Sequence, residues 1–361
     1  MSNETQVSFI IPIYNAERYI EETINSILTA KNSENFSYEV ICVNDCSTDN
    51  SLAILNKLAS QNQKVVIVNH EKNGHIAVAR NSGFDAAKGK WICFLDADDI
   101  VNKNVFNVFD KVLDESYDII YFDYDQFVQI PKADFDVTES TAVHEYGAKE
   151  IHIQQRELLS RRKMQGKTYG YRNLGLVWGK VYRASFLHEN NFRAIEGMKY
   201  EEDLSFCLMC LSKCKKAKKI DWNMIHYRII PDSFSHVYTD VFWKRFTTIS
   251  PVYEQLVKKY FADDPEMQEL LPYRYLWALL FSVIRGPANH KNHNPWSHRK
   301  NHFRELLSLP YFDHVFDHVN ISELDFSNSL LAFCVKKRFL IGCCFLERML
   351  QLKNRIVNFR N

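Results

Sequence analysis

The chain has 361 residues, long enough for two domains or for one large α/β domain with an extension. Its 45 basic and 44 acidic residues give a net charge of +1, which excludes a global basic field for nucleic acid. The sequence contains no run of about 18 uninterrupted apolar residues, so we predict no membrane-spanning helix. The polar start of the chain and its nine cysteines favour a cytoplasmic protein with free thiols.

The first hundred residues alternate between two patterns of apolar residues. Continuous apolar runs predict buried strands, and apolar residues repeated every three or four positions predict helices. Their order predicts an α/β fold with a doubly wound, mostly parallel sheet flanked by helices. The predicted strands are 7–13, 39–43, 64–69, 90–95 and 117–122, and the predicted helices are 16–28, 49–58 and 76–87.

The pattern changes twice in the rest of the chain. Residues 131–170 are more polar, with one helix predicted near 151–162, and 174–190 continue the fold. Beyond about residue 238, long helical periodicity predicts a C-terminal α-helical extension. We therefore predict a catalytic domain at 1–237, with a nucleotide-binding half at about 1–125 and an acceptor half at about 126–237, followed by a helical region at 238–361.

Polar residues follow three of the predicted strands, at the sheet edge where such folds bind ligands. The strongest group is Asp96-Ala97-Asp98-Asp99. Neighbouring carboxylates at the end of a buried strand are costly unless a positive group neutralises them. Mn²⁺ or Mg²⁺ would do so, with substrate phosphates and water completing its shell. A helix cap or a turn is the alternative.

Two further acidic segments carry chemistry. Asp45 at the end of the second strand can accept a hydrogen bond from a base N–H, whereas Ser47, Thr48 and Asp49 are better explained as helix caps. The run Tyr200–Asp203 precedes an apolar helix, whose dipole stabilises acidic residues. A carboxylate kept ionised there could equally deprotonate an acceptor hydroxyl.

Several stretches over residues 7–235 occur in an order typical of one family. They are VSFIIPIYNAERYIEETINSIL, YEVICVNDCSTDNSLAIL, NGHIAVARNSGFDAAKGKWICFLDADDIV, LVWGKVYRASFL, MKYEEDLSF and HYRIIPDSFS. Together they resemble the inverting glycosyltransferases of family 2, which have the GT-A fold, of the bacterial surface-polysaccharide type. The last 125 or so residues match no part of the family core.

The resemblance implies a role for each matching residue near the nucleotide. Pro12 and Tyr14 would flank the donor base, with Glu17 beside them. Asp45 would recognise the base, and Arg80 resembles an arginine near the base.

The resemblance also implies the reacting groups. Asp96 and Asp98 match the DxD motif, with Asp98 as the direct metal ligand and Asp96 nearer the ribose or the metal shell. Asp203 would be the general base and Glu202 would hold the acceptor region, although a shifted register would substitute Glu201.

Other matching residues would line the sugar and the diphosphate. Trp178 and Lys180 match a stretch on the sugar and acceptor side, and Arg228 resembles a loop residue that reaches the diphosphate. His226 and His236 are candidates for a further metal or phosphate contact, with a structural histidine as the alternative.

The resemblance implies a metal-dependent enzyme of the hexosyltransferase class. It would move a sugar from a nucleotide-sugar donor, expected to be a UDP-sugar, to a hydroxyl of a glycan or lipid-linked acceptor. The products would be capsule, O-antigen, lipooligosaccharide or another surface polysaccharide. A sugar nucleotidyltransferase would need a Gly-rich phosphate loop, and an oxidoreductase would need G-x-G-x-x-G; neither follows the first strand. A non-catalytic nucleotide-sugar-binding subunit is disfavoured by the retained acidic residues.

The C-terminal segment 331–361 is basic and apolar, with seven basic residues and one acidic residue, a net charge of +6. A basic amphipathic helix predicts binding to the inner face of the plasma membrane, near a lipid-linked acceptor. A helix packed on the domain or a homo-oligomer contact is the alternative. Lys213–Lys219 are interpreted as a solvated helix end, the histidines of 289–302 as loop residues, and Cys207, Cys210 and Cys214 as one face of a buried helix rather than a metal site.

Overall fold

The structure is a computed structural model that describes residues 4–128, 142–160, 174–198, 200–230 and 242–358. The chain forms two compact units. The first contains Met1–His152 and Tyr171–Pro231, and the second contains Ile153–Gly170 and Asp232–Asn361. The sequence predicts the division 1–237 and 238–361 instead, since helical periodicity does not reveal against which core a helix packs.

The chain contains nine strands and thirteen α-helices in its described part. The strands are β1 Val7–Ile13, β2 Tyr38–Asn44, β3 Val65–Asn69, β4 Trp91–Phe94, β5 Ile100–Val101, β6 Ile119–Phe127, β7 Val143–Tyr146, β8 Lys180–Arg183 and β9 Ala217–Arg228. The helices are α1 Ile20–Leu28, α2 Ser51–Gln61, α3 His75–Ala86, α4 Val105–Val112, α5 Ala148–Ser160, α6 Ala184–Glu189, α7 Glu202–Lys213, α8 Phe242–Tyr260, α9 Pro265–Glu269, α10 Leu271–Arg285, α11 Trp296–Leu307, α12 Phe326–Lys336 and α13 Leu340–Asn358.

The first unit is built on one sheet with the strand order β3-β2-β1-β4-β8-β6-β9-β5, and β7 pairs with β9. The first four strands are parallel, with Val7 of β1 opposite both Tyr38 of β2 and Trp91 of β4. β8 is antiparallel to both β4 and β6. The predicted α/β fold class is therefore confirmed, and the carboxyl ends of β1, β2 and β4 meet at one edge.

Aromatic packing holds helix α4 against β1 and β2. Phe106 of α4 stacks on Tyr38 of β2 with ring centroids 4.4 Å apart, and Phe109 stacks on Phe9 of β1 at 6.2 Å. All four side chains are buried. Such pairs contribute about 0.5–1.5 kcal/mol each beyond their buried area. They fix α4 against the strands whose ends form the site.

Helix α3 lies close to β1 and β2 because Gly83 has no side chain. A Cβ atom there would lie 2.3 Å from Cγ2 of Ile10 and 3.1 Å from Cγ2 of Val43. We expect Gly83→Ala to destabilise the protein by about 1–3 kcal/mol, because overpacking outweighs the gain in helix propensity. Urea unfolding measures this, with Gly147→Ala as control, since its nearest atom would be 3.7 Å away. Equal midpoints for both variants would contradict the close approach.

Two interpretations of polar segments are wrong. Lys218 and Lys219 belong to β9 and not to a helix end. Lys218 is buried with its ammonium 4.3 Å from the ring centroid of Tyr117, and Lys219 pairs with Asp123. Cation–π contact and pairing offset the burial of these charges. The segment 289–302 is also not a loop throughout, because α11 takes up its second half and buries His302.

The second unit is helical, as the periodicity predicts. Leu279 and Val283 of α10 pack with Leu331 and Val335 of α12 in a separate apolar core. Arg274 of α10 is also buried, with its guanidinium 4.9 Å from the ring centroid of Tyr253. Within the described ranges, no helix is both long enough and apolar enough to cross a membrane.

Candidate active site

A cavity of about 580 Å³ opens at the carboxyl ends of β1, β2 and β4. Its lining includes Pro12 near the end of β1, Tyr14 just after β1, Asp45 after β2, and Asp96 and Asp98 after β4. Asp45, Asp96 and Asp98 were predicted from their positions at strand ends, and Pro12 and Tyr14 from the family resemblance. The structure brings these five together on the wall of one cavity, whereas Arg80, Glu202 and Asp203 are not among its lining residues.

The loops after β1 and β2 are joined by side-chain hydrogen bonds. Asn15, which has a φ of 52°, donates its N–H to Ser47 Oγ at 3.1 Å and accepts from Thr48 N at 2.8 Å. Glu17 accepts from the N–H of Asn50 at 2.9 Å, so its carboxylate fixes the start of α2 instead of lining the cavity. Such ties hold the cavity wall rigid.

The expected caps of α2 have a related but different role. The helix begins at Ser51, and its N-cap residue Asn50 makes no side-chain cap. Asp49 accepts instead from the N–H groups of Ser51 and Glu17, both at 3.0 Å. The carboxylate of Asp49 thus both caps α2 and joins the two loops, whereas the sequence predicted only the capping.

Asp45 is almost fully buried and is held by several groups. Its Oδ1 accepts the backbone N–H of Gly74 at 2.8 Å and lies 2.8 Å from Nδ1 of His70. The side chain of Asn73 donates to its backbone carbonyl at 2.9 Å. Both side-chain bonds end on Oδ1, so the orientation of the carboxylate is fixed at the cavity wall.

Arg80 of α3 connects the acidic groups of two segments, the start of α7 and the segment after β4. Its guanidinium is 4% exposed and donates to Asp203 Oδ1, to Glu202 Oε1 at 3.3 Å and to Asp96 Oδ1 at 3.5 Å. The three carboxylates outweigh its burial and raise the pKa of Arg80. The sequence placed Arg80 near the base, whereas its contacts link the two predicted acidic motifs.

Burial and mutual repulsion shift the proton affinities of these carboxylates. Burial raises the pKa of Asp96 to about 6, with Asp203 and Asp98 adding to the effect and Arg80 opposing it. Burial likewise raises the pKa of Glu202 to about 7 and raises that of Asp98. The pKa of Asp99 is also raised, because it is buried beside Asp96 and Asp98.

The acidic cluster has a surplus of negative charge that suits a hard cation. Five carboxylates, at positions 96, 98, 99, 202 and 203, face two guanidinium groups, at positions 80 and 228. Asp99 Oδ2 is buried without a hydrogen-bond partner. In the described part of the chain, no three His, Cys, Asp or Glu side chains could hold a metal ion alone. A cation shared with substrate phosphates fits such a site.

The raised pKa of Glu202 predicts a pH-dependent cost of stability. A carboxyl group whose folded pKa exceeds its unfolded value of 4.5 costs no stability at low pH and most above its folded pKa of about 7. We expect Glu202→Gln to raise the unfolding free energy by about 1–3 kcal/mol at about pH 8 and by nothing at about pH 4. Chemical unfolding at both pH values checks this.

The matched control for that measurement is Glu189→Gln, because Glu189 is exposed at the end of α6. It should leave stability unchanged at either pH. A gain from Glu202→Gln that is the same at both pH values would mean that the ionised carboxylate is not the source of the cost.

Trp178 and Lys180 lie in the interior of the first unit, not on an open wall. Trp178 is 4% exposed and stacks on Tyr227 with ring centroids 5.4 Å apart. The ammonium of Lys180 is bound by the carbonyls of Leu174 and Leu176. Burial lowers the pKa of Lys180, and the carbonyls compensate for lost water. The prediction that Lys180 faces the sugar is corrected, since it holds the segment before β8.

Arg228 is the last residue of β9 and not a loop residue as predicted. Its side-chain Nε donates to the backbone carbonyl of Asp98 at 2.8 Å, and its guanidinium pairs with Glu22. Its backbone N–H donates to Asp99 Oδ1 at 2.9 Å. Arg228 therefore supports the DxD segment from behind. His226 on the same strand is buried with Nδ1 2.6 Å from Asp125, as expected of a structural histidine, and His236 lies outside the described residues.

Some residues of the cavity were not predicted from the sequence. Tyr19 precedes α1, and Asn73, His75 and Ile76 lie at the start of α3. The signal for the last three was their place after β3, where the chain turns with His75 at a φ of 66°. A strand end followed by Asn-Gly-His would have been sufficient to include them.

Known proteins with similar sequences are described as glycosyltransferases. A family model described as glycosyl transferase family 2 matches residues 8–172. The chain is 28% identical over 237 residues to the uncharacterized glycosyltransferase EpsJ of Bacillus subtilis (strain 168), covering 64% of this chain and 63% of EpsJ. It is 41% identical over 93 residues to the putative teichuronic acid biosynthesis glycosyltransferase TuaG of the same strain, covering 26% of this chain and 36% of TuaG.

A solved structure extends the likeness of the fold. The crystal structure of S. aureus TarS 1-349 in complex with UDP-GlcNAc has a TM-score of 0.62 and 19% identity, covering 97% of this chain and 92% of that one. This likeness confirms the predicted GT-A fold class with its C-terminal helices. The chain spans about three fifths of the length of the first curated relatives, 63% of EpsJ and 60% of the putative glycosyltransferase EpsH of the same strain.

Proposed function

We propose, from the premise that residues 8–172 belong to glycosyl transferase family 2, that this chain transfers a sugar from a nucleotide-sugar donor to a hydroxyl acceptor. The observation that carries the proposal is the contact of Arg80 with both Asp96 and Asp203. Asp96, which is expected near the diphosphate, and Asp203, which is expected near the acceptor, thus both contact one guanidinium. The two halves of a transfer reaction thus share one charged centre.

The donor occupies the cavity in this proposal. A volume of about 580 Å³ lies in the range of small-molecule sites. Asp45 uses Oδ1 for its own contacts, so Oδ2 accepts a base N–H. Tyr14 is 55% exposed at the rim and offers a ring face to the base. The matching base is one with a donor N–H on its pairing edge, as in a UDP-sugar.

A divalent cation, Mn²⁺ or Mg²⁺, would be held directly by Asp98. Asp96 would be a second ligand or would lie beside the coordination shell of the metal. When bound, such an ion neutralises the negative charge that builds up on a leaving diphosphate. Asp98 has its backbone carbonyl bound by Arg228, and Asp96 has its carboxylate bound by Arg80. Both acids are therefore presented to the cavity by buried arginines.

The acceptor proton goes to Asp203. Its Oδ1 accepts from Arg80, and its Oδ2 accepts the backbone N–H of Val177 at 3.4 Å, so the carboxylate is held in one orientation. Attack of the acceptor hydroxyl from the face opposite the diphosphate would invert the anomeric carbon in one displacement, so a single base suffices. Glu202, with its pKa of about 7, is the competing base and otherwise positions the acceptor.

The acceptor is a glycan or a lipid-linked glycan of a bacterial surface polysaccharide. The similarity to TuaG, a putative teichuronic acid biosynthesis glycosyltransferase, supports this class. A lipid-linked acceptor would require the chain to reach the cytoplasmic face of the plasma membrane as a peripheral protein. The basic, apolar helices of the second unit would provide that contact.

A donor screen tests the proposal. The purified chain is incubated with UDP-, GDP- and CMP-sugars, Mn²⁺ and a mixture of lipid-extracted glycans, and released nucleotide is measured. Release that depends on one donor, on acceptor and on Mn²⁺ supports sugar transfer. Binding of a nucleotide sugar without release under any acceptor condition would favour a non-catalytic subunit instead.

A further inference from the structure

The second unit presents a large apolar surface on its last two helices. Thirteen large hydrophobic side chains are exposed in the described part of the chain, and eight of them lie between Phe326 and Leu352. On α13 they recur every three or four residues and so share one helix face. We call this face the α13 stripe; its members are Ile341, Phe345, Met349 and Leu352.

The stripe is exposed although its helix is well packed. Leu340 and Cys343 of α13 are buried in the core of the second unit, on a different face of the helix from Phe345, which is 65% exposed. α12 repeats the pattern, with Leu331 buried and Phe326 84% exposed. Both helices are held in place by their buried inner faces, so their exposed outer faces form a well-defined surface.

A cavity of about 360 Å³ lies beside the stripe and shares Ile341 with it. Arg299 is held in its wall, because Nε donates to the carbonyl of Pro287 at 2.7 Å and a terminal nitrogen lies 3.2 Å from Cys344 Sγ. Arg348 also lines the cavity, and it makes no ion pair within the described residues. Two arginines therefore line one small space.

The charge around this cavity is positive. His290 and Trp296 complete its polar and aromatic lining, and Trp296 is partly exposed. The acidic group beside it is Glu347, which is fully buried and lies 2.8 Å from Nδ1 of His290. The end of α12 and the turn after it add three exposed cations, Lys336, Lys337 and Arg338.

We propose that the second unit binds an anionic lipid bilayer, with the α13 stripe in the outer acyl region and a phosphate headgroup between Arg299 and Arg348. An apolar face bordered by basic residues and a Trp is complementary to such a surface. Planar guanidinium groups bind phosphate through paired hydrogen bonds. The inference specifies the site of the peripheral contact proposed above, and it does not depend on sugar transfer.

Cosedimentation of the full chain with phosphatidylcholine vesicles, with and without phosphatidylglycerol, tests this site. We expect binding to the anionic vesicles only. Phe345→Asp should lower that affinity by about tenfold or more, and Ile341→Gln by less, because each removes apolar insertion. Arg348→Glu should lower it by about tenfold. Arg304→Glu, the same change at an exposed position of α11 outside the cavity, should have no effect.

Three results would overturn the proposal. One is equal binding to both kinds of vesicle, and another is unchanged binding by Arg348→Glu. The third is a wild-type dimer that binds no vesicles and that Phe345→Asp converts to a monomer, since the face would then be a subunit interface. Thermal unfolding and UDP binding are measured on the same preparations, so a failure here is distinguishable from a failure of the proposed transfer.

Discussion

Replacing Asp203 with Asn is expected to lower sugar transfer by about 10²–10⁴-fold while leaving the KM for the donor unchanged. The amide cannot take a proton from the acceptor, but its oxygen can still accept from Arg80, so the contact to Asp96 is preserved. Steady-state kinetics with a saturating acceptor measure the effect on kcat.

The matched control for this variant is Glu201→Gln, because Glu201 is the neighbouring acid that precedes α7 and has a φ of 58°. It should retain most of the activity. Normal turnover by Asp203→Asn would exclude Asp203 as the base. If Glu201→Gln or Glu202→Gln abolished transfer instead, the base would be that residue.

Replacing Asp98 with Asn is expected to lower transfer about a thousandfold, because several kcal/mol of charge stabilisation at the diphosphate would be lost. Unlike the previous variant, it should also weaken donor binding in the presence of Mn²⁺. Isothermal titration calorimetry with a nucleotide sugar measures the loss of donor binding separately from the loss of transfer.

Asp85→Asn is the control for this change, since Asp85 is an exposed carboxylate of α3 whose partner is Arg193. It should bind donor and metal as the wild type does. Donor affinity in Asp98→Asn that equals the wild-type value with Mn²⁺ present would show that Asp98 does not act through a cation.

The sequence predicted those parts of the fold that local patterns determine. β1 has the predicted bounds, because its residues form a continuous apolar run that ends with polar side chains. β9 was not predicted, because its lysine-rich start resembles a helix end and only the long-range partners Tyr117 and Asp123 explain those charges. Strand pairing across a hundred residues leaves no local signal.

The same limit applies to the site. Positions at strand ends were sufficient to predict Asp45, Asp96 and Asp98 on one cavity. The contacts of Arg80 could not be predicted, since its partner Asp203 is 123 residues away along the chain. Lys180 was wrongly placed because a lysine in a motif resembles a ligand group, whereas its environment is made of backbone carbonyls.

In the proposed site, the acidic cluster at the sheet edge holds a cation against a nucleoside diphosphate. Thermal unfolding of the chain with UDP and Mn²⁺, added separately and together, tests this arrangement. We expect the two ligands together to stabilise the protein by about 3 kcal/mol at a hundredfold excess of ligand over Kd, more than the sum of their separate effects, and Asp98→Asn to remove this gain. Stabilisation by UDP that is the same with a chelator as with Mn²⁺, in both proteins, would contradict it.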